Sequence, residues 1–405
     1  MQMLLSLVVV VLTARYLGPS NYGLIGYATA FVSFFTSLCT LGINSVIIMD
    51  FVAHPDEQGE TIGTTIILRA ISSLLSSVMI TAIVALLNRN EPLTVVVTFL
   101  CSIALLFQVF DTINYWFQSR YESKITSLAT LTAYIITSVY KIILLCQKKD
   151  VRWFAFATSV DFICIGIFLI VSYKKHNGPK LSFSWAKAKS LLGKSYHYIL
   201  SGMMVAIYSQ TDKLMLKHML NETEVGYYSV ATTVCGMWVF VLAAIIDSMY
   251  PTIMQLYNNG DEKAFERKNR QMYAIVFYAS TFVSVGFLIF GDFFISILYG
   301  KDFAPAGLPL KVITWYTAFS YLGVARNAWI VCENKQKYLK YMYVGAAVIN
   351  VVLNMILIPV MGASGAALAS LITQLCTSIL LPMCWKEMRP NVKLMVDAIL
   401  LKGLR

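Results

Sequence analysis

The sequence is short of charge, of histidine and of patterned cysteine, and each shortage closes off a class of protein. Charged residues fill 13% of the 405 positions, and acidic ones are the scarcer sign, 21 against 32 lysines and arginines. Hydrophobic residues reach 58%, a share that soluble globular domains do not carry. The four histidines are scattered. The eight cysteines, Cys39, Cys101, Cys146, Cys164, Cys235, Cys332, Cys376 and Cys384, show no metal or redox spacing and fall mostly within apolar runs, so small core residues are expected and no metal site. No lysine or arginine precedes the first apolar run, MQMLLSLVVVVLTARY, which therefore reads as a first membrane helix and not as a signal peptide.

What the chain has is apolar length. A spanning helix needs about 20 mostly apolar residues, so the composition fills roughly a dozen spans joined by short polar connections. Breaks in hydropathy place twelve helices near 1–15, 22–50, 62–87, 93–116, 125–146, 151–173, 193–217, 225–256, 271–299, 307–332, 339–359 and 365–385. The first is short for a span, so its start lies upstream or inside the bilayer. The expected fold is an all-α polytopic membrane protein of about twelve transmembrane helices.

One turn recurs. ARYLGPSNYGLIGYAT, beginning at Ala14, and HMLNETEVGYYSVAT, beginning at His218, match Leu17, Gly23, Ala28 and Thr29 to Leu220, Gly226, Ala231 and Thr232, every pair 203 positions apart. An offset near half the chain predicts two six-helix bundles of one orientation, a parallel repeat about a pseudo-twofold axis along the membrane normal. The expected organisation is an N-terminal bundle over 1–173, a basic linker over 174–194, a C-terminal bundle over 195–385 and a basic tail over 386–405. Counted from an inside amino terminus, the inside connections carry 20 lysines and arginines and the outside ones seven. Both termini are therefore expected in the cytoplasm. Topology accounts for most of the net charge of +11, which is not a nucleic-acid signal.

Charges inside spans are costly and usually face a bundle interior or a water-filled cavity. Arg69, Asp111, Lys141, Asp161, Asp212, Lys213, Asp247, Lys311 and Arg326 fall inside the expected spans. Helix four aligns Gln108, Asp111, Tyr115 and Gln118 on one face; helix seven aligns Tyr198, Ser201, Tyr208 and Asp212; helix two offers Ser33, Thr36, Thr40 and Asn44. The 203 offset also pairs Asn44 with Asp247 and sets Arg15 opposite His218 at an outer mouth. A snorkelling group or a packing ion pair competes with a cavity role for each charge, and Arg15, Lys213 and Lys311 lie near helix ends where that reading is strongest. The cavity candidates are Arg69, Asp111, Lys141, Asp212, Lys213, Asp247, Lys311, Arg326, Asn44, Gln108 and Tyr208, with Arg15 and His218 at the outer mouth.

ARYLGPSNYG followed by GYATAFVSFFTSLCTLGINSVII, and then YSQTDKLMLKHMLNETEVGYYSVAT one bundle later, resemble the bacterial O-antigen and exopolysaccharide flippases, the polysaccharide-transporter branch of the multidrug, oligosaccharidyl-lipid and polysaccharide exporter superfamily. The resemblance covers nearly the whole chain. It implies two six-helix bundles in the bacterial inner membrane, around a central, often cationic cavity, moving undecaprenyl-pyrophosphate-linked sugar repeat units between leaflets. Polysaccharide polymerase and chain-length machinery are implied partners beside membrane lipids. Two phosphates on the headgroup would call on Arg69, Lys141, Lys213, Lys311 and Arg326. Asp111, Asp212 and Asp247 would balance them or take up a driving proton or sodium ion, with no organic cofactor and no catalytic residue. Many relatives carry two further helices, whereas VKLMVDAILLKGLR at the end of this chain is too short to span.

Two other readings stay open. A cation-coupled multidrug antiporter of the same superfamily would favour an acidic, aromatic-lined pocket, against which the deep basic residues count. A membrane polymerase or ligase would need a large external loop with paired catalytic residues, and the outside connections are too short for one.

Overall fold

In hydrocarbon every backbone donor and acceptor must be satisfied within the chain, so apolar spans fold as helices. The computed structural model describes residues 2–403, and among them every regular element is helical. In chain order the elements are α1 (Gln2–Cys39), α2 (Asn44–Ala53), α3 (Gln58–Leu87), α4 (Pro92–Gln108), α5 (Asp111–Ser119), α6 (Ser123–Cys146), α7 (Val151–Lys175), α8 (Trp185–Met219), α9 (Glu222–Gly236), α10 (Val239–Asn258), α11 (Glu262–Tyr299), α12 (Gly307–Cys332), α13 (Leu339–Met361), α14 (Ala363–Leu375), α15 (Leu381–Met383) and α16 (Arg389–Ile399). A π-helical turn, Cys376–Leu380, joins α14 to α15. Among the described residues nine helical stretches are long and apolar enough to cross a membrane.

The chain divides into two compact units, Met1–Leu17 with Asn21–Gln210, and Gly18–Ser20 with Thr211–Arg405. Along the chain the membrane helices form two successive sets of six in one order, the division between the units falling within α8. In the first, α1 breaks at Gly18, whose φ of 72° leaves the helical region, and its second stretch leads into α2; then come α3, α4 with α5, α6 and α7. In the second they are α8, α9 with α10, α11, α12, α13, and α14 with α15. The all-α, twelve-helix, two-bundle architecture expected from hydropathy is the one observed. The repeat is visible in detail at Thr29 and Thr232, whose hydroxyls each donate to the carbonyls three and four residues back. The 203 offset does not persist, since α4 and α12 begin at Pro92 and Gly307, 215 positions apart. Much of the drift comes from α11, which has 38 residues to the 30 of α3.

Two segments differ from the organisation expected. Residues 174–194 fold with the first unit, and the division between units falls inside α8. The end of the chain forms α16, which packs on α11 and α12, burying Val392, Leu394, Met395 and Ala398, while the Tyr278 hydroxyl donates to the Ile399 carbonyl at 2.7 Å. At the turn before α16, Lys335 and Lys337 lie 3.1 and 3.6 Å from Glu387, and the Lys335 hydrogen bond holds that carboxyl below the usual carboxylate range.

Helices reach further into the polar connections than hydropathy suggests, because side-chain caps replace apolar character as the start signal. Asp150 accepts from the Val151 amide at 2.7 Å, Asn221 from Glu224 at 3.1 Å and Asp261 from Ala264 at 3.0 Å. Asp261 thereby starts α11 nine residues before the apolar run at 271. Asp261→Ala is expected to remove about 1 kcal/mol and lower the unfolding midpoint of the purified protein, whereas Asp261→Asn, an equally good cap, leaves it in place. An unchanged midpoint in the alanine variant would show that packing alone fixes this helix start.

Candidate functional site

Arg69 lies midway along α3 and is 2% exposed. Its Nη1 donates to Thr112 Oγ1 at 3.1 Å and its Nη2 donates to Asn44 Oδ1, while the guanidinium lies 5.7 Å from the centre of the Tyr115 ring. Both partners stand directly after a helix break. Asn44 is the first residue of α2, beyond the turn at Leu41 and Gly42, both of positive φ, and Thr112 is the second residue of α5, beyond the break at Val109 and Phe110. Ile43, Ile47 and Phe51 pack with Ile113, Trp116 and Phe117 in one core cluster, which fixes α2 against α5 and brings the two broken ends to Arg69. Asp111 begins α5 and is half-buried, as is Gln108 at the end of α4. The continuous polar face expected on helix four is thus divided by the break, and Gln118 lies exposed beyond it.

Asp212 is the counterpart of opposite sign in the second unit, 3% exposed on α8. It accepts from Asn350 Nδ2 at 3.0 Å, Asn354 Nδ2 at 2.6 Å, Ser370 Oγ at 2.5 Å and the Tyr228 hydroxyl, so that α9, α13 and α14 each send it a donor. No cation pairs with it among the described residues. A hydrogen bond to a charged group contributes about 1.5–3 kcal/mol, and four of them offset a desolvation cost of several kcal/mol. Arg69 is less well served, with two such bonds, an aromatic contact and a buried Nε that has no partner. Of the two lone charges, Arg69 has more to gain from a ligand of opposite sign.

Arg326 on α12 is 4% exposed, and its role differs. Its Nη1 donates to the carbonyls of Thr377 and Ser378 at 3.2 and 3.3 Å, both inside the π-helical turn, where widened backbone leaves carbonyls without their usual donors. Ser378 Oγ returns a 2.6 Å bond to the Phe319 carbonyl. Arg326 therefore clamps backbone, whereas Arg69 holds side chains that can rotate away.

The remaining candidates are dispersed. Lys141 on α6 is half-buried one turn beyond Thr137, whose hydroxyl donates to Asp161 Oδ1 on α7 at 3.3 Å. Lys311 is the packing ion pair that its place near a helix end suggested, 2.5 Å from Asp292. Asp247 is exposed on α10, so the environment of Asn44 does not recur at its offset mate. Lys213 and Tyr208 are half-buried on α8, Arg15 and His218 are exposed, and the Ser201 side chain lies outside the described residues. Among the described residues no cluster of three or more histidine, cysteine or acidic side chains could hold a metal ion.

Sequence reasoning missed a cluster where α2 ends and α3 and α8 begin. Asp50, 7% exposed, accepts from Thr61 Oγ1 at 2.6 Å and Lys187 Nζ at 3.2 Å, with His54 Nδ1 at 3.3 Å, and Lys187 also meets Glu57 at 2.6 Å. It also passed over Asn350, Asn354, Ser370 and Tyr228. The spacing of the two asparagines, four apart in the otherwise apolar VINVVLNMIL, was the available signal.

This fold is shared with solved structures that include a multidrug resistance MATE transporter in an inward-facing conformation, with a TM-score of 0.76 at 15% identity over 96% of this chain and 95% of that one. The structure of the lipid II flippase MurJ in its inward closed conformation superposes with a TM-score of 0.77, at 14% identity, over 99% of this chain and 89% of that one. The sequence profile of the family described as polysaccharide biosynthesis protein matches residues 12–308, and the chain belongs to that family. The capsular polysaccharide biosynthesis protein CapF of Staphylococcus aureus is 21% identical over 378 residues, 89% of each chain. A probable low-salt glycan biosynthesis flippase of Haloferax volcanii is 23% identical over 199 residues, 49% of this chain and 42% of that protein, so the match spans less than half of that relative.

The two buried arginines are expected to part company in a stability measurement. Arg326→Met strands two carbonyls at about 1–3 kcal/mol each and should lower the unfolding midpoint by several degrees. Arg69→Met removes a buried cation that makes no salt bridge among the described residues, Asp111 acting on it only from beyond that distance, and should leave the midpoint unchanged or raised. Equal losses in both would make Arg69 a structural clamp as well.

Proposed function

We propose that this protein is a flippase that carries undecaprenyl-pyrophosphate-linked oligosaccharide repeat units, of an O-antigen, capsule or exopolysaccharide, across the bacterial cytoplasmic membrane by alternating access. The observation that carries the reading is Arg69: a buried, incompletely bonded guanidinium held only by neutral side chains, in a chain of the polysaccharide biosynthesis family with the fold of a lipid II flippase. A diphosphate supplies the bidentate oxygen acceptors that such a group lacks, and Asn44 and Thr112 can release it by rotating. Translocation forms and breaks no covalent bond, so the protein needs no catalytic residue and is not an enzyme in this reading.

The Asp212 cage supports coupling to a proton or a sodium ion. Asn350 and Asn354 direct their amide NH2 groups at the carboxylate. Turning either amide would present Oδ1, and Asn354 Oδ1 is buried without a partner. The same groups then offer the oxygen ligands that a hard cation prefers. Protonation of Asp212 would instead convert it to a donor toward that oxygen.

The test is complementation of a strain lacking its own lipid-linked oligosaccharide flippase but retaining the cognate sugar pathway, at matched membrane levels. Wild type should restore surface polysaccharide, Arg69→Ala should fail and Arg69→Lys should restore part of it. Asp212→Asn should abolish the dependence of transport on whichever ion drives it. Failure of wild type accompanied by gained drug resistance would favour the multidrug antiporter.

A further inference from the structure

Residues 178–184, GPKLSFS, have the composition of a linker, yet they lie folded down on α3. Gly178 packs against the Tyr173 ring, and the Tyr173 hydroxyl donates to the Pro179 carbonyl. From there the chain follows the first turns of α3: the Ser182 amide donates to the Gly59 carbonyl at 3.3 Å and the Ser184 amide to Thr64 Oγ1 at 3.0 Å. Gly59 and Gly63, one turn apart, meet the backbone at Lys180 and Ser182 so closely that neither has room for a Cβ. Lys187, in the first turn of α8, closes the arrangement on Glu57 and Asp50.

Docking by backbone leaves the side chains to face elsewhere. In an extended chain alternate residues share a face, which here sets Leu181 and Phe183 together, and the ring of Trp185, the first residue of α8, lies beside that of Phe183. Leu181, Phe183 and Trp185 are 50%, 46% and 74% exposed, and the rings of Phe183 and Trp185 lie 6.4 Å apart. Depth follows from α3, whose membrane stretch is Pro55–Leu87. At about 1.5 Å per residue, Gly59 to Thr64 lie roughly 6–14 Å from its start, the zone of headgroups and first acyl carbons. Trp is enriched at that level, and lysines there reach toward headgroups. Lys174, Lys175, Lys180 and Lys189 are exposed around the strap without carboxylate partners among the described residues. Further along α3 the exposed Ile67, Ile71, Leu74 and Leu75 continue an apolar surface into the bilayer.

We propose that residues 178–189 are a membrane-interface anchor for anionic lipid. The strap is fixed to α3 through the Gly59 and Gly63 groove, sinks Leu181, Phe183 and Trp185 into the acyl boundary and sets its lysines on anionic headgroups. The leaflet is the one that the distribution of Lys and Arg assigns to the cytoplasm. It gives the first unit a fixed height in the membrane at the point where α8 departs.

Nitroxide labels placed one at a time at 180–187, in full-length protein with its native cysteines replaced and reconstituted in bilayers containing phosphatidylglycerol, test this directly. Labels at 181, 183 and 185 should be accessible to oxygen and shielded from a water-soluble nickel chelate, alternating with the even positions, and Gly63→Val should abolish the alternation. Access of nickel to every position, or a helical period over 180–184, overturns the proposal. Should the cysteine-free protein fail to fold, quenching by brominated lipids answers the same question in the native sequence. Trp185→Phe should remove part of the quenching by brominated phosphatidylglycerol and less of that by brominated phosphatidylcholine; no loss, or equal loss with both, overturns it. Neither measurement depends on transport, so the anchor and the flippase reading can fail separately.

Discussion

A lone charge inside a membrane bundle must be held by neutral dipoles, and the two units meet that constraint with opposite signs. Asp212 is enclosed by two amides and two hydroxyls drawn from three helices, and Arg69 is held by one amide and one hydroxyl over an aromatic ring. Asp111 in the first unit and Lys213 in the second act on these charges from beyond salt-bridge distance, so neither field is cancelled by a direct ion pair. Neutral partners keep the ion in place and leave its field intact, and they exchange at lower cost, because a departing amide or hydroxyl leaves no orphaned ion behind.

Helix breaks are the device that delivers those dipoles. Regular helix consumes its backbone groups internally and spaces its side chains along one cylinder. The breaks before Asn44 and Asp111 turn the following residues toward α3, and the π-helical turn at Cys376–Leu380 exposes the carbonyls that Arg326 clamps. Irregular backbone at membrane depth is tolerated where it is buried in protein, and at Arg326 the irregular backbone and the cation stabilise one another. Asp212 needs no such break, since a carboxylate asks for donors and side-chain amides and hydroxyls on intact helices supply them.

Much of the fold was legible because a bilayer imposes a length and a polarity on each span. Hydropathy placed the twelve helices within a few residues at most boundaries and missed chiefly where a cap extends a helix into polar sequence, as Asp261 does for α11. The deep positions of Arg69, Asp212 and Arg326 followed from the cost of charge in hydrocarbon. Their partners did not, since a search for charges passes over Asn350, Asn354, Ser370 and Thr112. Asp247 does not share the environment of Asn44, because the 203 offset was carried beyond the helices in which it holds, and that environment depends on a break at 40–43 that the second unit places at Met237 and Trp238. The strap was hidden for a related reason. GPKLSFS has the composition of a free loop, and only its meeting with Gly59 and Gly63, more than a hundred residues earlier, makes it structure.

A difference in satisfaction between the two charges bears on how binding and driving could be divided. Asp212 accepts from four donors, so in the proposed reading a cation that binds it must turn Asn350 or Asn354, both on α13. Arg69, with an unpartnered Nε and side-chain partners at the ends of α2 and α5, can accept an anionic group by local rotation alone. Under the flippase proposal, a site with few partners to displace suits a headgroup whose sugars vary, and a site with four donors to rearrange suits a small coupling ion. On that reading the better-satisfied charge would serve as the switch and the poorly satisfied one as the receptor.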